Sequence, residues 1–197
     1  MQELNSVKIT NHSLLCGIKN IKDFNLDWVE FGVYTGGTAN FLSHNIKNNK
    51  LYLFDSFIGL PEDWKFENGK IWNRRRKNSF NLKGKIPKFE NNNVIIKAGW
   101  FENTIPAFVK EHKEPLGFIH IDCDIYSSTK TIFDNINELI IENTIIVFDE
   151  YYNYANEHEG WKEHEYKAFQ EFIEKYNRKY EYIARTNREQ IVVKILK

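Results

Sequence analysis

The stretch WVEFGVYTGGTANFLS, residues 28–43, starts as an apolar run of strand length and ends with apolar residues at helical spacing, with Gly36 and Gly37 in the bend between. An apolar strand that breaks at glycines and resumes as a helix is how an α/β sheet presents a ligand, because small molecules gather at the carboxyl ends of its strands. GVYTGGT lacks the G-x-G-x-x-G spacing that seats a pyrophosphate on a helix N-terminus. The bend therefore speaks against a nicotinamide dehydrogenase and for a nucleoside without phosphates.

Outward from this bend, DWVEFGV (27–33), LYLFDSF (51–57), NVIIKAG (93–99), GFIHIDCD (117–124) and TIIVFDE (144–150) are apolar runs of strand length. TANFLSHNIKN, TKTIFDNINELIIEN and HEYKAFQEFIEKYNRK place apolar residues three and four apart, as amphipathic helices do. The alternation predicts an α/β fold, a parallel sheet with helices on both faces. YEYIART, the turn-like NRE and QIVVKIL then predict an antiparallel C-terminal hairpin, making seven strands in a mostly parallel sheet. With no linker or internal repeat, residues 1–197 are expected to form a single domain. Residues 58–92 stand apart, rich in turn formers and poor in periodicity, and are expected to form a lid or insertion over the site. Within them RRRK (74–77) reads either as solvated surface or as a clamp for an anionic acceptor.

Composition narrows the partners. The 27 Lys+Arg balance 27 Asp+Glu, so the basic excess of a nucleic-acid binder is missing and none is expected as a partner. MQELNSVKIT at the start is too polar for a signal peptide, and no run approaches the roughly 18 apolar residues that span a bilayer. A soluble, cytoplasmic protein without a membrane partner is the expectation. Cys16 and Cys123 are too few for a disulfide framework or a zinc site, and are expected to be reduced and buried.

Several strand patterns end in a carboxylate: Glu30, Asp55, Asp122 and Asp149. One such residue could cap the next helix or sit in an exposed loop. Four point to a site, since carboxylates are costly to bury without partners. Asp55 follows Glu30 by 25 positions, close to the separation at which an acidic residue ending a second strand reaches a ribose hydroxyl pair. S-adenosylmethionine, with its ribose, adenine and amino-acid tail, is a ligand of the required kind.

VEFGVYTGGTANFLS, LFDSFIGLPED, AGWFENTIP, IDCDIYSST and VFDEYYN, in this order, resemble the motifs of class I S-adenosylmethionine-dependent methyltransferases of the macrocin O-methyltransferase (TylF) type. The likeness covers about residues 27–175, and DSFIGLP and IDCDIYSST are its specific parts. It implies a Rossmann-like fold with Glu30, Gly32, Tyr34 and Thr38 around the methionine and ribose of the cofactor. It implies Asp55 on the ribose hydroxyls with Ser56 and Phe57 alongside, and Gly99, Trp100 and Phe101 flanking the adenine, although a lone Trp100 also reads as core. It places a metal, Mg²⁺ by the hardness of the ligands, on Asp122, Asp149 and Glu150. Asp122, also placed at the cofactor, is the candidate general base, with Asp124 orienting the loop. The family more often has two aspartates where this chain has Asp149-Glu150.

His158 and His164 lie near the acidic pair in sequence without forming H-E-x-x-H, and His120 reads as a core residue. The charges of GWKEHEYKAF read first as helix surface, while Tyr151 and Tyr152 could reach the acceptor. The resemblance implies an O-methyltransferase acting on a sugar or small glycoside, in surface-polysaccharide or secondary-metabolite biosynthesis. With only 26 residues before the first strand, the pocket would be closed by residues 58–92 or by a second subunit of a homodimer. The alternative is a non-catalytic binding module that keeps the cofactor fold within a biosynthetic complex.

Overall fold

The computed structural model describes residues 4–66, 68–72, 75–153 and 160–197. The elements run α1 (Ser13–Asn20), β1 (Asp27–Phe31), α2 (Gly37–Ser43), β2 (Leu51–Asp55), β3 (Val94–Ala98), α3 (Phe101–Glu111), β4 (Leu116–Ile121), α4 (Tyr126–Ile136), β5 (Ile145–Phe148), α5 (Glu165–Lys175), β6 (Lys179–Arg185) and β7 (Ile191–Leu196). They build one seven-stranded sheet in the order β3-β2-β1-β4-β5-β7-β6. The first five strands are parallel, and β7 pairs antiparallel with both β5 and β6. The chain winds from β1 to β3, then returns to lay β4 against the other edge of β1. That reversal opens a crevice beyond the carboxyl ends of β1 and β4, the place where open α/β sheets bind ligands.

Two apolar layers hold the sheet, and strand alternation decides which residue joins which. Val29, Phe31, Phe54, Ile119, Ile121, Ile146 and Phe148 face α3, α4 and α5 through Ile105, Phe108, Ile132, Phe133, Phe169 and Phe172. Trp28, Leu51, Leu53, Phe118, Ile145 and Val147 face α1 and α2 through Leu14, Ile18, Ala39 and Leu42. Each such side chain taken fully out of water stabilises the fold by about 1.5–3 kcal/mol. α1, which has no counterpart among the helices read from the sequence, lies so close to the sheet that a Cβ on Gly17 would stand 2.8 Å from Val147.

The sequence patterns overran each parallel strand by one to three residues at the carboxyl end, and those overruns are the loops of the site. β1 stops at Phe31 because Gly32 turns to φ +89, where an added Cβ would stand 1.7 Å from the Asp122 carbonyl oxygen. Part of the segment expected to be a lid, from Gly59 to Phe80, contributes residues to the lining of the crevice. Leu60, Trp64 and Phe66 bury themselves with Ile125, and Trp72, Phe80 and Trp161 pack against them. No helix among the described residues is long and apolar enough to cross a membrane.

Candidate active site

The strand ends are laced by one repeated hydrogen bond. Gly99 N–H donates to the Asp55 carbonyl, Gly32 N–H to Phe54, Asp122 N–H to Phe31 and Asp149 N–H to Ile121, each at 2.9 Å. The ladder thus runs one residue past each strand and delivers the first loop residues to one side of a cavity of about 770 Å³. That volume falls within the range of small-molecule sites, roughly 300–1,000 Å³.

Of the sequence-derived cofactor residues, Gly32, Tyr34, Thr38, Asp55, Ser56, Gly99, Trp100, Phe101 and Asp122 line this cavity. Asp55 holds the first loop: Oδ2 accepts the Val33 and Tyr34 N–H groups at 2.7 and 2.8 Å, and Oδ1 accepts the Phe57 N–H at 2.6 Å. A carboxylate has about four acceptor positions, so room remains for a hydroxyl donor from the cavity. Phe57 itself is turned into the core, 1% exposed, and is absent from the lining.

Glu30, expected beside a cofactor, is absent from the cavity lining. It is fully buried, opposite His120 in the sheet register. His120 Nδ1 and Glu30 Oε1 share a buried hydrogen bond of 2.9 Å. His120 is thus a core residue, as its position within a strand suggested. Tyr151 corrects an expectation. It is fully buried, with its hydroxyl on Tyr182 and Gln170 at 2.8 and 3.0 Å, and so does not reach the cavity. Tyr152 is half-buried against Trp161 and Arg185, outside the lining. His158 lies outside the described residues. His164 is buried against Trp64 and Phe66 and accepts the Tyr126 N–H, and burial pushes its pKa down to about 4.

The loops after β4 and β5 carry the opposite chemistry. Asp122, Asp149 and Glu150 each offer a carboxylate oxygen, all within 4.8 Å of one another. Glu150 Oε2 is buried with no hydrogen-bond partner among the described residues. Burial first, and then the neighbouring carboxylates led by Asp149, push the Asp122 pKa well above its ordinary value. Glu150 is pushed up in the same way, by burial and then by Asp124 and Asp149. Asp124, held at φ +68, also lines the cavity, and burial and Asp149 raise its pKa to about 8 while Arg75 pulls against the shift. Crowded hard oxygen donors with an unmet acceptor suit a divalent cation such as Mg²⁺.

A further carboxylate escaped sequence reading. Glu165 opens α5 in a segment whose charges read as helix surface, yet it is fully buried. Its Oε2 accepts the Glu150 N–H at 3.1 Å, the Cys123 N–H favours its charged form, and Oε1 has no partner among the described residues. Glu165 therefore braces the two acidic loops against each other. The turn between β6 and β7 adds a second brace, since the Glu189 carbonyl accepts the Tyr151 and Tyr152 N–H groups at 3.1 and 3.0 Å. The i, i+3 and i+4 spacing of Ala168, Phe169 and Phe172 after Glu165 was the signal available, because it turns the start of α5 toward the sheet.

RRRK divides by position. Arg75 lines the cavity, Arg76 pairs with Asp63 at 3.9 Å, the Lys77 N–H donates to Asp63, and Arg74 lies outside the described residues. Cys16 and Cys123 are free thiols, Cys123 buried and Cys16 half-buried.

A family model described as Macrocin-O-methyltransferase (TylF) matches residues 18–178. A curated relative from Streptomyces olivaceus, 8-demethyl-8-(2,3-dimethoxy-alpha-L-rhamnosyl)-tetracenomycin-C 4'-O-methyltransferase, is 26% identical over 141 residues, covering 64% of this chain and 52% of its own. The chain thus spans about half the length of that relative. Among solved structures, the O-methyltransferase NovP superposes with a TM-score of 0.67 at 20% identity, over 91% of this chain and 76% of its own. The calicheamicin methyltransferase CalS11 gives 0.67 at 16% identity, over 92% and 77%. At these identities the superpositions establish the fold.

Proposed function

This chain belongs to the macrocin O-methyltransferase (TylF) family, and on that premise we propose that it is an S-adenosylmethionine-dependent O-methyltransferase acting, with a divalent cation, on a hydroxyl of a sugar or small glycoside. The observation that carries the reading is the pairing, across one cavity, of a glycine-bent loop held by Asp55 with the three close carboxylates Asp122, Asp149 and Glu150. The tetracenomycin relative is named as acting at the 4' position of a rhamnosyl derivative, which supports a sugar acceptor.

S-adenosylmethionine supplies a methyl group on a cationic sulfur, open to in-line attack by an oxygen. A divalent cation, Mg²⁺ by the donor set, would lower the pKa of an acceptor hydroxyl and fix its oxygen. In this reading the Gly32–Thr38 loop and Asp55 bind the cofactor, Trp100 flanks its base, and Asp122, Asp149 and Glu150 hold the cation. The lid residues Leu60 and Trp64 keep water from the reacting atoms. Two carboxyls stand ready to take the hydroxyl proton. Asp122 is the first candidate from sequence, but as a cation ligand its oxygens are engaged. Asp124, two residues on, lines the same cavity outside the close triad and is then the freer base.

Calorimetric titration with S-adenosylhomocysteine, in Mg²⁺ and again in EDTA, tests the cofactor. Binding is expected in wild type, and its absence in both buffers overturns the reading. Asp122→Asn and Asp124→Asn separate the two roles: the first is expected to lose both Mg²⁺ binding and turnover, the second turnover alone.

A further inference from the structure

Arg75 is the one cation among the described residues that line the cavity, on a wall otherwise supplied with carboxylates from Asp55 to Glu189. Its backbone is fixed in the lid, the N–H donating to the Trp72 carbonyl at 2.7 Å and the carbonyl accepting the Trp64 N–H at 3.0 Å. Its guanidinium lies over the Phe80 ring, 4.4 Å from the centroid, and Phe80 in turn meets the edge of Tyr34 at 5.5 Å. Arg76 beside it is occupied by Asp63, whereas the Arg75 guanidinium has no ion pair or side-chain hydrogen bond among the described residues. An arginine stacked by its face keeps the N–H edge free, and that edge matches the two oxygens of a carboxylate or phosphate.

We infer that Arg75 is the anion anchor of this cavity, stacked on Phe80 so that its free edge pairs with a carboxylate or phosphate oxygen of a bound small molecule. The inference rests on the methyltransferase reading for the identity of its ligands. Two sources supply such an anion there: the amino-acid carboxylate of the cofactor, or a phosphate or carboxylate on the acceptor. The other charged side chains among the described lining residues are all carboxylates, so the arginine is the protein's own counter-charge for either.

Calorimetry on wild type, Arg75→Ala and Arg75→Lys distinguishes the sources, using S-adenosylhomocysteine, which has the carboxylate, and 5'-methylthioadenosine, which lacks it. If the anion is the cofactor's, Arg75→Ala weakens S-adenosylhomocysteine by about 10- to 100-fold and methylthioadenosine by less than about twofold, as expected for one charge-assisted pair. Arg75→Lys recovers part of the loss, because it keeps the charge without the fork. If the anion is the acceptor's, both nucleosides bind unchanged, while the S-adenosylhomocysteine-loaded wild type binds thymidine diphosphate about tenfold or more tighter than the loaded Arg75→Ala protein. Equal losses for both nucleosides, or no Arg75-dependent difference for any probe, overturn the inference. Wild type that binds neither nucleoside removes the methyltransferase reading instead, and the thymidine diphosphate comparison then decides Arg75 alone.

Discussion

Asp55 ends β2 and Asp122 follows β4, the two parallel strands that flank β1 in one sheet, yet their carboxylates live differently. Asp55 accepts three backbone N–H groups and ties the loop after β1 to the loop after β2. Asp122 shares its surroundings with Asp149 and Glu150, and burial first, then repulsion from Asp149 and the other neighbouring carboxylates, drives its pKa upward. The first carboxylate is largely spent on folding the loop that receives a ligand. The second group is left short of positive charge, which a ligand must bring.

The sharpest way to break this contrast is Asp122→Ala. Turnover should fall at least about a hundredfold through loss of the cation, with S-adenosylhomocysteine affinity within about threefold of wild type. Single-turnover kinetics beside calorimetry would show both, and undiminished turnover would end the assignment. Asp55→Ala should do the reverse. Orphaning three N–H groups is expected to cost on the order of 2–4 kcal/mol of stability, seen in urea unfolding, together with a marked loss of cofactor affinity.

Glu165→Gln sharpens the comparison at a distance. It replaces one oxygen of the brace by an amide while keeping its shape, so Mg²⁺ or Mn²⁺ affinity should drop by about tenfold with S-adenosylhomocysteine binding unchanged. A drop in both would mean general loosening of the fold. The smallest effect concerns pH. Asp124 has its carboxyl at about 8 in the folded chain against an ordinary 3.8, so the folded state holds the proton more tightly than the unfolded one. Its contribution favours folding below about pH 4 and is lost as pH rises toward about 8, and Asp122, Glu150 and Glu165 shift in the same sense. The melting temperature in EDTA should therefore fall between about pH 5 and about pH 8, and saturating Mg²⁺ should flatten the slope. A metal-free protein with no such slope would contradict the repulsion.

The sheet was legible because β1, β4 and β5 are buried on both faces and read as continuous apolar runs, and because the C-terminal pair alternates around a turn. The acidic loops were legible through their motifs. Glu165 was not, since an acidic residue in the first turn of an amphipathic helix ordinarily faces water, and only the packing of α5 on the β4 and β5 loops buries it. Glu30 was expected at the cofactor from its place in the first motif, and the register pairs it with His120, a partner the sequence did not point to. For RRRK the sequence left surface and clamp open, and among its described residues Arg75 is the one that lines the cavity. α1 escaped because its eight residues are too short for periodicity to speak.

The cover over the cavity also bears on how the protein can be observed. Of its 5 tryptophans, Trp28 lies in the core, while Trp64, Trp72 and Trp161 gather in the lid cluster and Trp100 stands on the cavity wall. The ultraviolet emission of the unlabelled chain is therefore weighted toward its ligand-facing side, and a molecule entering the crevice announces itself as a change in brightness or colour.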